Sequence, residues 1–154
     1  MSSAGKRNKY SLREKIARML LREEQHPYST AETAVRRHNG RVLQGMDALE
    51  AVLPAWIESK GYWKPHRTIS EAAADIGTDS TVLHWYFIER MGEDFRTWRT
   101  RMRIADAREI LLEEPLTPAF EIGMRVGFLD RSNFSRQFSA HVGMSPSEWR
   151  RRSS

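Results

Sequence analysis

The sequence predicts an all-α protein: two helix–turn–helix units joined by a long linker helix, behind a short helical N-terminal extension. Three observations carry that expectation. One segment occurs twice, first as Ala73-x3-Gly77-x5-Leu83-x3-Phe87-x4-Gly92-x5-Trp98-Arg99 and again as Gly123-x3-Gly127-x6-Phe134-x3-Phe138-x4-Gly143-x5-Trp149-Arg150. The offset is 50 up to the first glycine pair and 51 beyond it, so the copies differ by one residue in a turn. Alternating β-branched runs, the mark of strands, are nearly absent. Apolar residues instead recur at helical spacing, between N-cap residues and glycines.

Taken in order, residues 1–9 are small, polar and basic, the composition of a disordered tail. Residues 11–24 place Leu12, Ile16, Met19 and Leu20 on one helical face, with Ser11 as N-cap and Glu14 three residues on. Residues 25–29 make a break, and a short helix over 30–38 ends near Asn39-Gly40. A helix from Asp47 to about Lys60 buries Leu49, Val52, Leu53, Trp56 and Ile57. Pro54 lies inside it, and a mid-helix proline costs about 3 kcal/mol, so this helix either starts near Pro54 or kinks there. Gly61 ends it. Thr68-Ile69-Ser70-Glu71 is a capping box that opens a helix to Ile76; Gly77 turns the chain, and Ser80–Met91 is the second helix of the first unit.

A long helix, roughly Asp94–Glu113, carries Phe95, Trp98, Met102, Ala105 and Leu112 inward and stops before Pro115. Thr117-Pro118 reads as an N-cap followed by proline at the first helical position. That helix runs to Val126, Gly127 turns, and Ser132–Val142 is the second helix of the second unit. Ser145-Pro146-Ser147-Glu148 is another capping box, opening a final helix that ends in Arg150-Arg151-Arg152. The organisation expected is a basic extension over residues 1–46 (a disordered tail plus one or two helices) and a double helix–turn–helix domain over 47–152.

Composition excludes several classes. There is no cysteine, hence no disulfide, thiolate zinc site or cysteine nucleophile. The apolar runs are far shorter than a membrane span, and the opening MSSAGKRNKYSLREK lacks the apolar stretch of a signal peptide, so the expected location is the cytoplasm. His26, His38, His66, His84 and His141 lie singly, without metalloprotease spacing, and no Walker loop or nucleophile elbow occurs. An enzyme is therefore not expected, nor a cofactor or a metal. Net charge is +5, distributed unevenly: 10 Lys/Arg against 4 Asp/Glu in residues 1–46, 4 against 9 in 47–95, and 11 against 7 in 96–154. The first unit is acidic and the second basic, so they are not equal partners on phosphate.

The apolar pairs Leu83/Phe87 and Phe134/Phe138 anchor each second helix, leaving its other face for a partner. In the second unit that face is Arg131, Ser132, Ser135, Arg136 and Ser139. Arginine takes guanine O6 and N7 bidentately, and serines bond bases or phosphates. In the first unit the face is Ser80, Thr81, His84, Trp85 and Ile88, with Glu89 at its edge and no Lys or Arg. Trp85 aligns with Arg136 and His84 with Ser135. A linker helix of twenty residues is about 30 Å long, close to the roughly 34–36 Å between successive major grooves on one side of B-DNA. Two heads at its ends would suit one duplex.

From about Asp47 to Arg152 the chain resembles the DNA-binding domain of AraC/XylS-family transcription regulators. The resemblance rests on Arg103-Ile104-x2-Ala107-x2-Ile110-Leu111, on Val126-Gly127-Phe128-x-Asp130-x-Ser132-x-Phe134-Ser135-Arg136-x-Phe138 and on Gly143-x-Ser145-Pro146-Ser147-x-Trp149-Arg150. It implies seven helices in two helix–turn–helix subdomains, with base contacts from Thr81, His84 and Trp85 in the first head and Arg131, Ser132 and Arg136 in the second. Departures occur where the family is often basic, at Trp85, Ile88 and Glu89, and where it usually has Ile and Ala, at Ala119 and Gly123. Residues 1–46 are too short for a barrel-type sensor. Their apolar face (Leu12, Ile16, Met19, Leu20) has the Trp85/Ile88 patch as one candidate partner within the molecule.

The function these readings point to is a sequence-specific transcription regulator with double-stranded DNA as its partner and the second head as the main reader. RNA polymerase or another regulator is the further partner to consider, and the oligomeric state stays open. The competing expectation is a protein-interaction module of the same fold that modulates another regulator and binds DNA weakly.

Overall fold

The structure is a computed structural model that describes residues 30–154. The tail at 1–9 and the helix expected at 11–24 lie outside the described residues. The first described element, α1, is one helix from Thr30 to Glu58. Neither the break expected near Asn39-Gly40 nor a new start at Asp47 is present. Val42, Met46, Leu49, Leu53 and Trp56, all buried, recur at alternating four- and three-residue steps through that stretch. Burial of a continuous stripe outweighs the roughly 1 kcal/mol that a mid-helix glycine costs. Gly45 in particular brings the helix against its neighbour, since a Cβ there would stand 2.6 Å from Val82 Cγ2. The helix also runs through Pro54, held by Leu53 and Trp56 on either side. Val52, expected inside, lies off the stripe and is exposed.

After a single 3-10 turn at Gly61–Trp63 come α2 (Ile69–Ile76) and α3 (Ser80–Tyr86), which runs on into a π-helical turn at Phe87–Met91. Then follow α4 (Phe95–Glu113), α5 (Ala119–Arg125), α6 (Arg131–Val142) and α7 (Pro146–Ser153). Among the described residues there is no strand. The predicted caps at Thr68 and Ser145 form: each side chain accepts the N–H three residues on, from Glu71 at 3.1 Å and from Glu148 at 3.2 Å. Asp79, Asp94 and Asp130 cap α3, α4 and α6 in the same way. At α5 the cap position is Pro118, one residue later than expected, and the Thr117 hydroxyl instead donates to Glu114 at 3.0 Å.

Each unit has its own core. The first gathers Leu49, Leu53, Tyr62, Leu83, Phe87 and Trp98; the second gathers Ile104, Leu111, Ile122, Val126, Phe134 and Phe138. The linker α4 serves both, with Phe95 and Trp98 buried in the first and Ile104, Ala107 and Leu111 in the second. At 100° per residue these two sets lie roughly half a turn apart around the helix. That rotation is why Ala105 and Leu112, placed inward by extending one stripe along the whole helix, are exposed.

Two α4 side chains join the units. Arg103, buried, donates from Nε to the Tyr62 carbonyl at 2.6 Å and from Nη2 to the Lys64 carbonyl at 2.7 Å. Gly127 packs flat on that guanidinium with φ +109; a Cβ would lie 2.7 Å from Arg103 Cζ and overlap the Trp63 carbonyl oxygen. Three residues on, the Asp106 carboxylate accepts from Trp63 Nε1 at 2.7 Å, from Lys60 Nζ at 3.2 Å and from the Tyr62 hydroxyl. The 60–64 turn of the first unit is thereby fixed to the linker and to the Gly127 turn of the second.

Candidate nucleic-acid interface

The second helices of both units present the faces that the repeat leaves free. On α6, Phe134 and Phe138 are buried, while Arg131, Ser132 and Arg136 are exposed and Ser135 half-exposed. Arg131 lies over the Phe120 ring at 4.6 Å, and Arg136 donates to the Asn133 side chain at 3.1 Å. Neither arginine meets a carboxylate among the described residues, so both charges stay available. The Asp130 carboxylate caps the helix instead of neutralising them, accepting the Asn133 N–H at 2.7 Å.

On α3, Val82, Leu83 and Tyr86 are buried, and Thr81, His84 and Trp85 are exposed with Ser80 half-exposed. His84 and Trp85 pair edge to face, with ring centroids 5.2 Å apart. Ile88 at 37% and Met91 at 42% exposure extend an apolar surface beyond Trp85, itself at 37%. Arg90, in the turn that follows this helix, is taken up by Asp47 at 2.7 Å and by Glu50, both on α1. The two faces therefore differ in chemistry as their sequences imply: one cationic and hydroxylated, the other aromatic and uncharged.

Between them lies a feature that residue-by-residue reading missed. A cleft of about 590 Å³ opens where α4, the turn before α2 and the start of α6 meet; its walls include Arg67, Arg96, Arg99 and Arg136. A smaller neighbouring groove shares Arg67, Arg96 and Arg99 and reaches His84 of α3. The sequence signal was present as Arg96-x2-Arg99-x3-Arg103, which puts three guanidinium groups on one side of a helix. Burial and the neighbouring Arg96 lower the pKa of Arg99; burial and Arg99 lower that of Arg103 to about 9, so it is still charged at neutral pH. His66, at the rim, is held below its ordinary value by burial, with Asp75 3.5 Å away opposing that shift.

The C-terminal arginine run is less free than its sequence implies. Arg150 donates to the carbonyls of Leu111, Glu114 and Thr117 at 2.9, 3.2 and 2.7 Å, closing the C-terminus of α4. Arg152 pairs with Glu148 at 2.8 Å.

A family described as a helix-turn-helix domain matches residues 68–152, more than half of the chain and both α3 and α6. The chain belongs to the AraC-type helix–turn–helix family. Within that family it is similar to the arabinose operon regulatory protein of Salmonella typhimurium, 34% identical over 85 residues, which cover 55% of this chain and 30% of that one. The HTH-type transcriptional activator RhaR of Klebsiella pneumoniae is 28% identical over 138 residues, covering 90% of this chain and 45% of its own. The chain thus spans less than half the length of these curated relatives. Among solved structures, the C-terminal domain of the two-component response regulator yesN of Fusobacterium nucleatum superposes with a TM-score of 0.57 at 25% identity, over 68% of this chain and 98% of that one. A protein from Listeria innocua gives a TM-score of 0.57 at 26% identity, over 66% and 93%. AraC-type membership accounts for the paired units and the linker helix.

Proposed function

We propose that the chain is a sequence-specific, DNA-binding transcription regulator of AraC type in which α6 is the main reader. The observation that carries this is the α6 face: Arg131 and Arg136 exposed, with no carboxylate partner among the described residues, flanked by Ser132 and Ser135. Such a face offers bidentate donors to guanine and hydroxyls to bases or phosphates. The linker α4 is 19 residues, about 28 Å long, compatible with placing α3 and α6 in successive major grooves. On this reading α3 positions the first head through Ser80, Thr81, His84 and Trp85 without charge, and base discrimination falls to α6. Regulation of transcription is inferred from the relatives, an operon regulatory protein and a transcriptional activator.

One observation favours a second reading. The exposed Trp85, Ile88 and Met91 surface is the kind that packs against protein, which suits a module acting on another regulator. Selection of bound fragments from genomic DNA, followed by footprinting at two salt concentrations, separates the two. A regulator gives a discrete footprint and an affinity that falls steeply with salt; an interaction module gives neither.

A further inference from the structure

We infer that the cleft between the heads is a phosphate site, in which Arg67, Arg96 and Arg99 grip the DNA backbone where the duplex passes from one reading helix to the other. This rests on the DNA-reading function proposed above. The first ground is composition. Among the described residues, no carboxylate lines the larger cleft. The one in the neighbouring groove, Asp94, is occupied as the cap of α4, accepting from the Thr97 N–H at 3.0 Å and from its hydroxyl at 2.8 Å. The Arg67 and Arg96 guanidinium groups have no ion pair or side-chain hydrogen bond among the described residues. Several guanidinium groups held close together without a counter-ion repel one another, and an external anion removes that cost.

The repeat supplies the second ground. Arg99 and Arg150 occupy the same position in the two copies, each directly after the scaffold tryptophan. Arg150 distributes its donors over three backbone carbonyls. Arg99 gives one bond, from Nη1 to the His66 carbonyl at 3.2 Å, and its buried Nε has no partner. One copy of the arginine is used up as a helix cap, while the other keeps donors that face a cleft. Placement is the third ground. Arg67, Arg96 and Arg99 line both openings, so they bridge His84 on the first reading helix and Arg136 on the second. Planar guanidinium donors match phosphate oxygens in pairs. A strand running from one reading helix to the other would cross this band.

The test uses the whole chain and an arbitrary-sequence duplex of about thirty base pairs, its affinity measured by fluorescence anisotropy across a range of NaCl concentrations. Arg67→Gln and Arg96→Gln are each expected to remove one phosphate contact. The affinity drop between about 50 and about 200 mM salt then shrinks by about 3.5-fold per substitution. The loss is the same on duplexes of different sequence, and Arg125→Gln, which removes an equal charge outside the cleft, leaves the salt slope as it was. If wild-type protein binds duplex with a steep slope that neither cleft variant changes, the phosphate site is wrong and the reading function stands. If wild-type protein shows no salt-dependent duplex binding, both fall. Titration with inorganic phosphate followed by 31P NMR is the second arm. Saturable binding abolished by Arg96→Gln, together with unchanged duplex slopes, would make this a small-anion site and overturn the assignment to the backbone.

Discussion

His66 shows how one buried side chain writes a pH dependence into stability. Its ring stacks on Trp56, with centroids 6.5 Å apart, and its side chain is 11% exposed. Burial lowers its pKa below the ordinary 6.5, Asp75 pulls the other way, and Arg99, Lys64 and Arg103 add to the lowering. The unfolded chain therefore binds this proton more readily than the folded one as the pH falls through 6.5. Stability is lost on acidification from that value until the folded histidine also protonates. Asp75, lowered by its bonds to Lys64 and Trp56, adds acid sensitivity only below the ordinary carboxylate value of 3.8. Urea unfolding at about pH 7 and about pH 5.5 should show a lower midpoint at the more acid pH in the wild type and a smaller difference in His66→Gln. An equal pH difference in both proteins would mean that other groups carry it. Nothing in the sequence around His66 announces this, because burial comes from Trp56 and from α4, both distant along the chain.

At the scale of elements, the pairing of α5 with α6 turns on Gly123. The sequence gives this glycine the look of a weakness, a helix position worth about 1 kcal/mol more as alanine. In the fold it faces the Phe134 ring so closely that a Cβ would overlap the ring carbons. Gly123→Ala should therefore destabilise the protein by about 1–3 kcal/mol, as overpacked cores do, in spite of the gain in propensity. Chemical denaturation decides this, and a more stable variant would show that α5 shifts freely. The same contrast between local and tertiary cues explains what was legible among the helices. Repeat glycines and the capping hydroxyls of Thr68 and Ser145 act locally, and all four glycines at 77, 92, 127 and 143 take positive φ as the turns demand. The continuity of α1 through Gly40 and Pro54 is set by burial against α3, and the half-turn change of face along α4 is set by two cores. Neither has a local cue. The apolar steps from Val42 to Trp56 were readable in the sequence, but Asn39-Gly40 just before them and Pro54 within them carried more weight than the stripe.

For the whole molecule, the proposed function requires two unlike heads held at a fixed separation. Arg103 is the joint: its bonds to the Tyr62 and Lys64 carbonyls and its contact with Gly127 tie first head, linker and second head together. Arg103→Lys keeps the charge but not the fork of donors. Leaving a buried carbonyl unpaired costs about 1–3 kcal/mol, so the free energy of unfolding should fall by an amount in that range. Affinity for a two-groove site should fall further than affinity for a single half-site, because the heads are no longer held in register. Equal losses on both would assign Arg103 to stability alone. The architecture could be seen in the sequence because it follows from a repeat, and the exposed faces of α3 and α6 because they stand opposite its anchors. The arginine cleft could not, since it joins a turn at Arg67 to two helices that only the fold brings together.

Base discrimination by Arg136→Ala and Trp85→Ala, on an operator selected by the wild-type protein, is the direct measure of whether the two heads are unequal. Each base pair of that operator is substituted in turn and the change in affinity is recorded for the three proteins. The account predicts that Arg136→Ala loses about 1–3 kcal/mol of discrimination at one base position, while Trp85→Ala leaves the discrimination profile unchanged. Equal losses of discrimination in the two variants, at positions one helical turn apart, would contradict it.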